Sequence, residues 1–250
     1  MQIRRLRLPR TALQQMAEVE RGFFLLAGHM QNELNSLHKV FAWCLQSGGP
    51  ISPVESLANG VQAQLYARLL AGKLLEAWNA LGSAYFGTNI SQRIEASLHP
   101  EAQEALTNLK AYFGKSNLIY RVRNSFAFHY TAGEFERHWL EVADTPNFEM
   151  ILGGTVGNNI NLASELVVNK AVLDSANPQD QSAALQRFLD EVQSTASHFT
   201  NFLEGVILVL LESVLSSPLA GQGSTEPIAP RFRFDGIAIP YFYDHGLPEA

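Results

Sequence analysis

Thr11 to Gln46, TALQQMAEVERGFFLLAGHMQNELNSLHKVFAWCLQ, sets apolar side chains at Leu13, Met16, Val19, Phe23, Leu26, Met30, Leu34, Leu37, Phe41 and Leu45. Steps of three and four residues are the repeat of an α-helix, so the stretch predicts one amphipathic rod of about ten turns. Ser47-Gly48-Gly49-Pro50 ends it. Ser52-Pro53 then supplies an N-cap with proline in the first helical position. A second stripe runs from there through Val54, Leu57, Val61, Leu65, Leu69, Leu70, Leu74 and Trp78, and stops between Gly82 and Gly87.

Working outward, Pro100 to Phe113 predicts a shorter helix ended by Gly114. Asn117 predicts the cap of another over Leu118–Tyr130, and a weaker helical patch covers Glu134–Val142. The period changes after Pro146. Phe148-Glu-Met-Ile-Leu and the alternating Ile160-Asn161-Leu162 flank Gly153, Gly154 and Gly157, which predicts a small β-hairpin at about 147–163. Asn161 or Ser164 would cap a helix through Leu173, and Asn177-Pro178 would open a last long helix to about Ser216. The expectation is a mostly all-α bundle of about five long helices in one domain, 1–216. A Pro/Gly-rich tail, 217–250, carries the aromatic patch Pro240–Tyr243 and is either docked on the body or partly disordered.

Composition narrows the function classes. The 250 residues are 46% hydrophobic and 17% charged, which excludes a disordered or fibrous chain. A single cysteine, Cys44, excludes an intrachain disulfide and a multi-cysteine zinc site, and fits a reducing compartment. Beside Trp43, with no adjacent base, it reads as core packing. The apolar run Val206–Leu211 falls far short of the ~20 residues that span a bilayer, and no signal peptide is evident, so a cytoplasmic protein with no membrane partner is expected. Net charge is −6, and four of the 18 basic residues (Arg4, Arg5, Arg7 and Arg10) fall in the first ten positions with no acid among them. That leaves 14 basic against 24 acidic residues elsewhere, so nucleic acid would have to be met by a local basic cleft. The arginine-rich end reads as a solvated, poorly ordered terminus or as a contact for RNA or a partner.

Few residues carry chemistry. The three glycines lack the Gly-Lys-Ser/Thr of a phosphate cradle, and the next lysine is Lys170. The histidines at 29, 38, 99, 129, 138, 198 and 245 form no His-x-x-x-His or Glu-x-x-His cluster. Glu134 and His138, four apart, read as a solvated pair, so neither a metal nor another cofactor is expected. The one concentration is Tyr120-Arg121-Val122-Arg123-Asn124-Ser125-Phe126-Ala127-Phe128-His129-Tyr130. Arginine offers a planar fork suited to phosphate, and histidine titrates near neutrality, which together suit metal-free phosphodiester cleavage.

The run Arg123-Asn124-Ser-Phe-Ala-Phe-His129 resembles the Arg-x(4–6)-His motif of HEPN domains, in which asparagine commonly follows the arginine. This resemblance covers about half the chain and implies a helical bundle with the motif on a late core helix. It also implies a homodimer in which two motifs share one cleft, with RNA or a protein as partner. The activity implied is metal-independent RNA cleavage, with His129 as general base or acid, Arg123 stabilising phosphoryl charge and Asn124 orienting a phosphate oxygen. Other members of the family keep the fold as catalytically silent binding or scaffolding modules.

Read as residues, the motif keeps a structural alternative open. Six residues turn an ideal helix by about 600°, which leaves Arg123 and His129 about 120° apart. Long side chains, a kink or a second subunit would have to bring them together. Ser125 lies one turn before His129 and would bond its ring, while Phe126 and Tyr130 would face the core with Ile119. Glu76 of the second helix would reach Arg123, or else pair with Lys73 in solvent. His129 would equally serve as a core-edge histidine satisfied by Glu76 or Glu33. A metal-dependent phosphohydrolase, the third class, lacks its paired His/Asp motif.

Overall fold

Short polar side chains start the helices. In the computed structural model, which describes residues 2–46, 49–124, 132–142, 148–215, 223–229 and 233–244, the chain is mostly helical with two small strand pairs. In order the elements are β1 (Gln2–Arg5), α1 (Arg10–Leu13), α2 (Glu18–Cys44), α3 (Pro53–Ala84), α4 (Asn89–Glu95), α5 (Pro100–Phe113), α6 (Leu118–Val122), α7 (Ala132–Trp139), β2 (Met150–Ile151), β3 (Ile160–Asn161), α8 (Leu162–Ala176), α9 (Gln181–Glu212) and β4 (Ser224–Pro227). Ser52 and Glu55 close a reciprocal capping box at the start of α3: Glu55 N–H donates to Ser52 Oγ at 3.2 Å, and Ser52 N–H to Glu55 Oε2 at 2.7 Å. Hydrogen bonds from the Ser52 backbone N–H first, and then from its side chain, hold the Glu55 carboxyl below its ordinary range. Asn161 caps α8, and Asp180 Oδ1 accepts from Ala183 N–H at the start of α9.

Several expectations need revision. The first rod is broken between α1 and α2, and Val19, in the first turn of α2, is exposed. α4 is an additional helix, capped by Thr88. α3 runs unbroken through Gly60 and Gly72, but its buried face is rich in alanine (Ala58, Ala63, Ala67, Ala71, Ala77), while Val54, Leu57 and Leu65 of the expected stripe are exposed. The hairpin forms, pairing Met150 with Asn161 and Ile151 with Ile160. Two of its glycines serve close approach rather than left-handed backbone: a Cβ on Gly153 would strike Asn158, and one on Gly157 would strike the Tyr243 hydroxyl, while Gly154 has open space. The arginine-rich terminus is not a loose end, because Gln2–Arg5 pairs antiparallel with Ser224–Pro227 of the tail and Arg5 bonds Glu226. Among the described residues α9 alone is long and apolar enough to cross a membrane by length and composition, and its Phe188, Val192, Phe199, Phe202 and Val206 are fully buried in protein.

The chain divides into two compact units, and each of the three long helices contributes a part to both. The first holds β1, α1, α2 to Ser36, α3 from Lys73, α4, α5, α9 from Ser194, and β4. Its core centres on Tyr85, whose ring stacks on Phe23 at 5.0 Å and meets Phe202 edge-on at 5.6 Å. Among the described residues the Tyr85 hydroxyl has no hydrogen-bond partner, and burial pushes the phenol well above its ordinary value. α9 approaches α5 at Gly205, where a Cβ would come within 2.5 Å of Ala102.

The second unit holds α2 from Leu37, α3 to Gly72, α6, α7, the hairpin, α8, α9 to Gln193 and residues 234–244. Within it α8 packs against α6, α7 and β2. The tail docks here: Tyr241 N–H donates to Asn59 Oδ1 at 3.0 Å and its hydroxyl to the Asn159 carbonyl at 2.8 Å. Asn158 and Tyr243 exchange two further bonds.

Two stability predictions follow from these environments. Phe202→Ala should cost about 3–5 kcal/mol in chemical denaturation, as large core truncations do. Tyr85→Phe keeps the ring contacts, removes an unbonded buried hydroxyl and should leave stability equal or higher; a clear loss would show that the hydroxyl has a partner. Burial holds the half-buried His38 imidazole below its ordinary 6.5. The unfolded chain therefore binds the extra proton first, so this contribution is complete above pH 6.5 and fades as pH falls through it. The melting temperature should drop less on acidification from pH 7.5 to 5.5 in His38→Gln than in wild type.

Candidate functional site

Asn117 begins the segment that carries the arginines. Its Oδ1 accepts the Tyr120 N–H at 2.8 Å, fixing the first turn of α6. Leu118, Ile119 and Val122 are buried, and this leaves Tyr120, Arg121 and Asn124 on the exposed side with Arg123 half-buried. The backbone widens into a π-type turn at residues 123–124, a feature common at functional sites. There Arg123 Nη1 donates to Asn124 Oδ1 at 3.1 Å. The asparagine oxygen thus steadies one arm of the half-buried guanidinium.

Of the expected site residues, Arg123, Asn124 and Glu76 are among those the structure describes. Ser125, His129 and Tyr130 lie outside the described residues. Glu76 is exposed and belongs to the first unit. Lys73, its neighbour one turn earlier, reaches Glu33 Oε1 at 2.9 Å.

His138 was expected in a solvated pair and is instead buried. Arg137 Nη2 lies 2.7 Å from its Nε2, and Glu141 Oε2 lies 3.0 Å from its Nδ1. Arginine only donates, so Nε2 is the acceptor and the ring proton sits on Nδ1, facing the carboxylate. With both nitrogens engaged, this histidine holds α7 together rather than facing a substrate. Cys44 is buried as expected, and burial pushes its thiol up. Among the described residues no three His, Cys, Asp or Glu side chains gather as metal ligands would.

The most built polar group in the second unit is one that local sequence reasoning missed. Arg68 is only 5% exposed; Nη1 donates to Asn169 Oδ1 and Nη2 to Glu165 Oε2, each at 3.0 Å. The signal available was an arginine beside Leu69-Leu70 in an apolar stretch, but its partners lie about a hundred residues on. Glu165 and Asn169 line a pocket of about 230 Å³, with Glu149 near them. Its apolar walls are Leu57 and Val61 of α3, Leu162 and Leu166 of α8, and Phe148. The Tyr241 phenol is held above its ordinary value by burial first, then by the charge of Glu165 and of Tyr243.

No protein-family model, curated protein or solved structure matches the chain.

The two polar clusters should respond differently to truncation. Asn124→Ala, at an exposed position, should change unfolding free energy by no more than about 0.5 kcal/mol. Arg68→Ala strands Glu165 and should cost about 3–5 kcal/mol, toward the lower end because that carboxylate keeps some solvent. Equilibrium unfolding in guanidinium compares them directly.

Proposed function

We propose that the protein is a HEPN-like, metal-independent endoribonuclease that works as a homodimer. The observation that carries this reading is the Arg123–Asn124 pair, bonded to each other at the solvent-facing end of a capped helix whose apolar residues are buried. Its mostly helical architecture agrees with the resemblance that the motif carries.

In the proposed reaction His129 takes the proton of an RNA 2′-hydroxyl, a step typically worth 10²–10⁴-fold. The freed oxygen attacks the adjacent phosphorus, the P–O5′ bond breaks, and the leaving oxygen takes a proton from the protonated histidine of the second copy. Arg123 stabilises the charge that develops on the phosphoryl oxygens, an effect strongest when the donor is already in place. Asn124 holds the guanidinium through its oxygen and leaves its NH₂ for a phosphate oxygen. The products are a 2′,3′-cyclic phosphate and a 5′-hydroxyl.

RNA cleavage in excess EDTA tests the reading. Wild type should release cyclic-phosphate ends, and His129→Ala should lose at least a hundredfold. Equal cleavage by both proteins would place the chemistry elsewhere. No cleavage by a folded dimer on a broad set of RNAs would favour the alternative, a catalytically silent HEPN-like binding or scaffolding module.

A further inference from the structure

We propose that the pocket between α3, α8 and the hairpin of the second unit binds a nucleobase; as a subsite for the substrate's base it rests on the endoribonuclease reading. The argument starts from Arg68. A guanidinium has five donors and no acceptor, so it turns the oxygen of Asn169 toward itself and the NH₂ away. It likewise occupies Oε2 of Glu165 and leaves Oε1. Neither remaining group makes another hydrogen bond among the described residues. Glu165 and Asn169 stand four apart on α8, hence side by side on one helical face, and both line the pocket. They offer an acceptor and a donor together. The Watson–Crick edge of a base is the reciprocal pair, an N–H beside a ring nitrogen or carbonyl, and proteins read unstacked bases on that edge.

The walls fit the same ligand. Leu57 and Leu166 give apolar faces, and Phe148 adds a ring. Phe148 and Trp139 lie 4.6 Å apart, both about two-fifths exposed, which makes an unusual aromatic surface for a base to stack on. At about 230 Å³ the pocket is below the roughly 300–1,000 Å³ of drug-sized sites, so it admits a ring system and leaves sugar and phosphate outside. α8 also packs on α6, the helix that Arg123 follows, so base pocket and arginine share one supporting helix.

The test uses the full chain carrying His129→Ala, so that nothing is turned over. Guanosine, adenosine, cytidine and uridine are titrated at millimolar concentration, with tryptophan quenching and ligand-observed NMR as readouts and benzylamine as the apolar-cation control. At least one nucleoside should bind saturably and benzylamine should not. Leu166→Trp, which fills the pocket away from the Arg68 bonds, should weaken that binding at least tenfold with an unchanged melting curve. Should it not fold, Phe148→Ala, at an exposed ring, should weaken binding to a similar degree. Failure of all four nucleosides, indifference to both variants, or binding of benzylamine alone would overturn the proposal. RNA cleavage without nucleoside binding would reject the pocket only; nucleoside binding without cleavage would reject the nuclease reading and leave the pocket standing.

Discussion

A buried guanidinium cannot shed its charge, so everything around Arg68 must be arranged to satisfy it. Its two bonds reach residues four apart on α8, and this fixes both the rotation of α8 and its position along α3 to within a fraction of a turn. α6, α7 and β2 all pack on α8, so their placement inherits that register. Apolar residues alone would hold these helices together with less positional information, because the alanine-rich face of α3 offers few distinctive knobs. The network is costly to desolvate, and its return is a single arrangement rather than extra stability.

What could be read from the sequence was what is encoded within a few residues. Ser52 with Pro53, Asn117, and Gly114 after Phe113 are local signals, and α3, α5 and α6 begin or end at them. The hairpin was legible for the same reason, since its strands and turn are contiguous. Pairings made across the chain left no such trace. Gln2–Arg5 meets Ser224–Pro227 through backbone bonds that any side chains would permit, and so four arginines suggested a solvated end where a strand forms. The second stripe held at Leu70 and Leu74, which are buried, but not in the first turns of α3, where Ala58, Ala63 and Ala67 are buried and Leu57 lines a pocket.

The candidate site divides along the same line. Arg123 and Asn124 were legible as residue types in sequence order, and the cap at Asn117 fixes the turn after which Arg123 is half-buried and Asn124 exposed. Arg68, Glu165 and Asn169 were illegible because each is unremarkable in its own neighbourhood and only folding juxtaposes them. His138 shows what its pairing with a single acid leaves out: the ring is bonded by Glu141 at i+3 and by the adjacent Arg137.

Phase is the remaining constraint on the motif. On an ideal helix Arg123 and His129 point about 120° apart, too far for one face. A π-type turn adds a residue to the turn and so shifts the phase of whatever follows it relative to what precedes it. Such a turn sits at residues 123–124, at the arginine itself. Up to Arg123 the bonding stays helical, the Arg123 N–H donating to the Ile119 and Tyr120 carbonyls, while Leu118, Ile119 and Val122 set the apolar face. The bond from Arg123 to Asn124 fixes one arm of the guanidinium at the same point. The departure from regular geometry therefore coincides with the residues whose directions the proposed chemistry most needs to control.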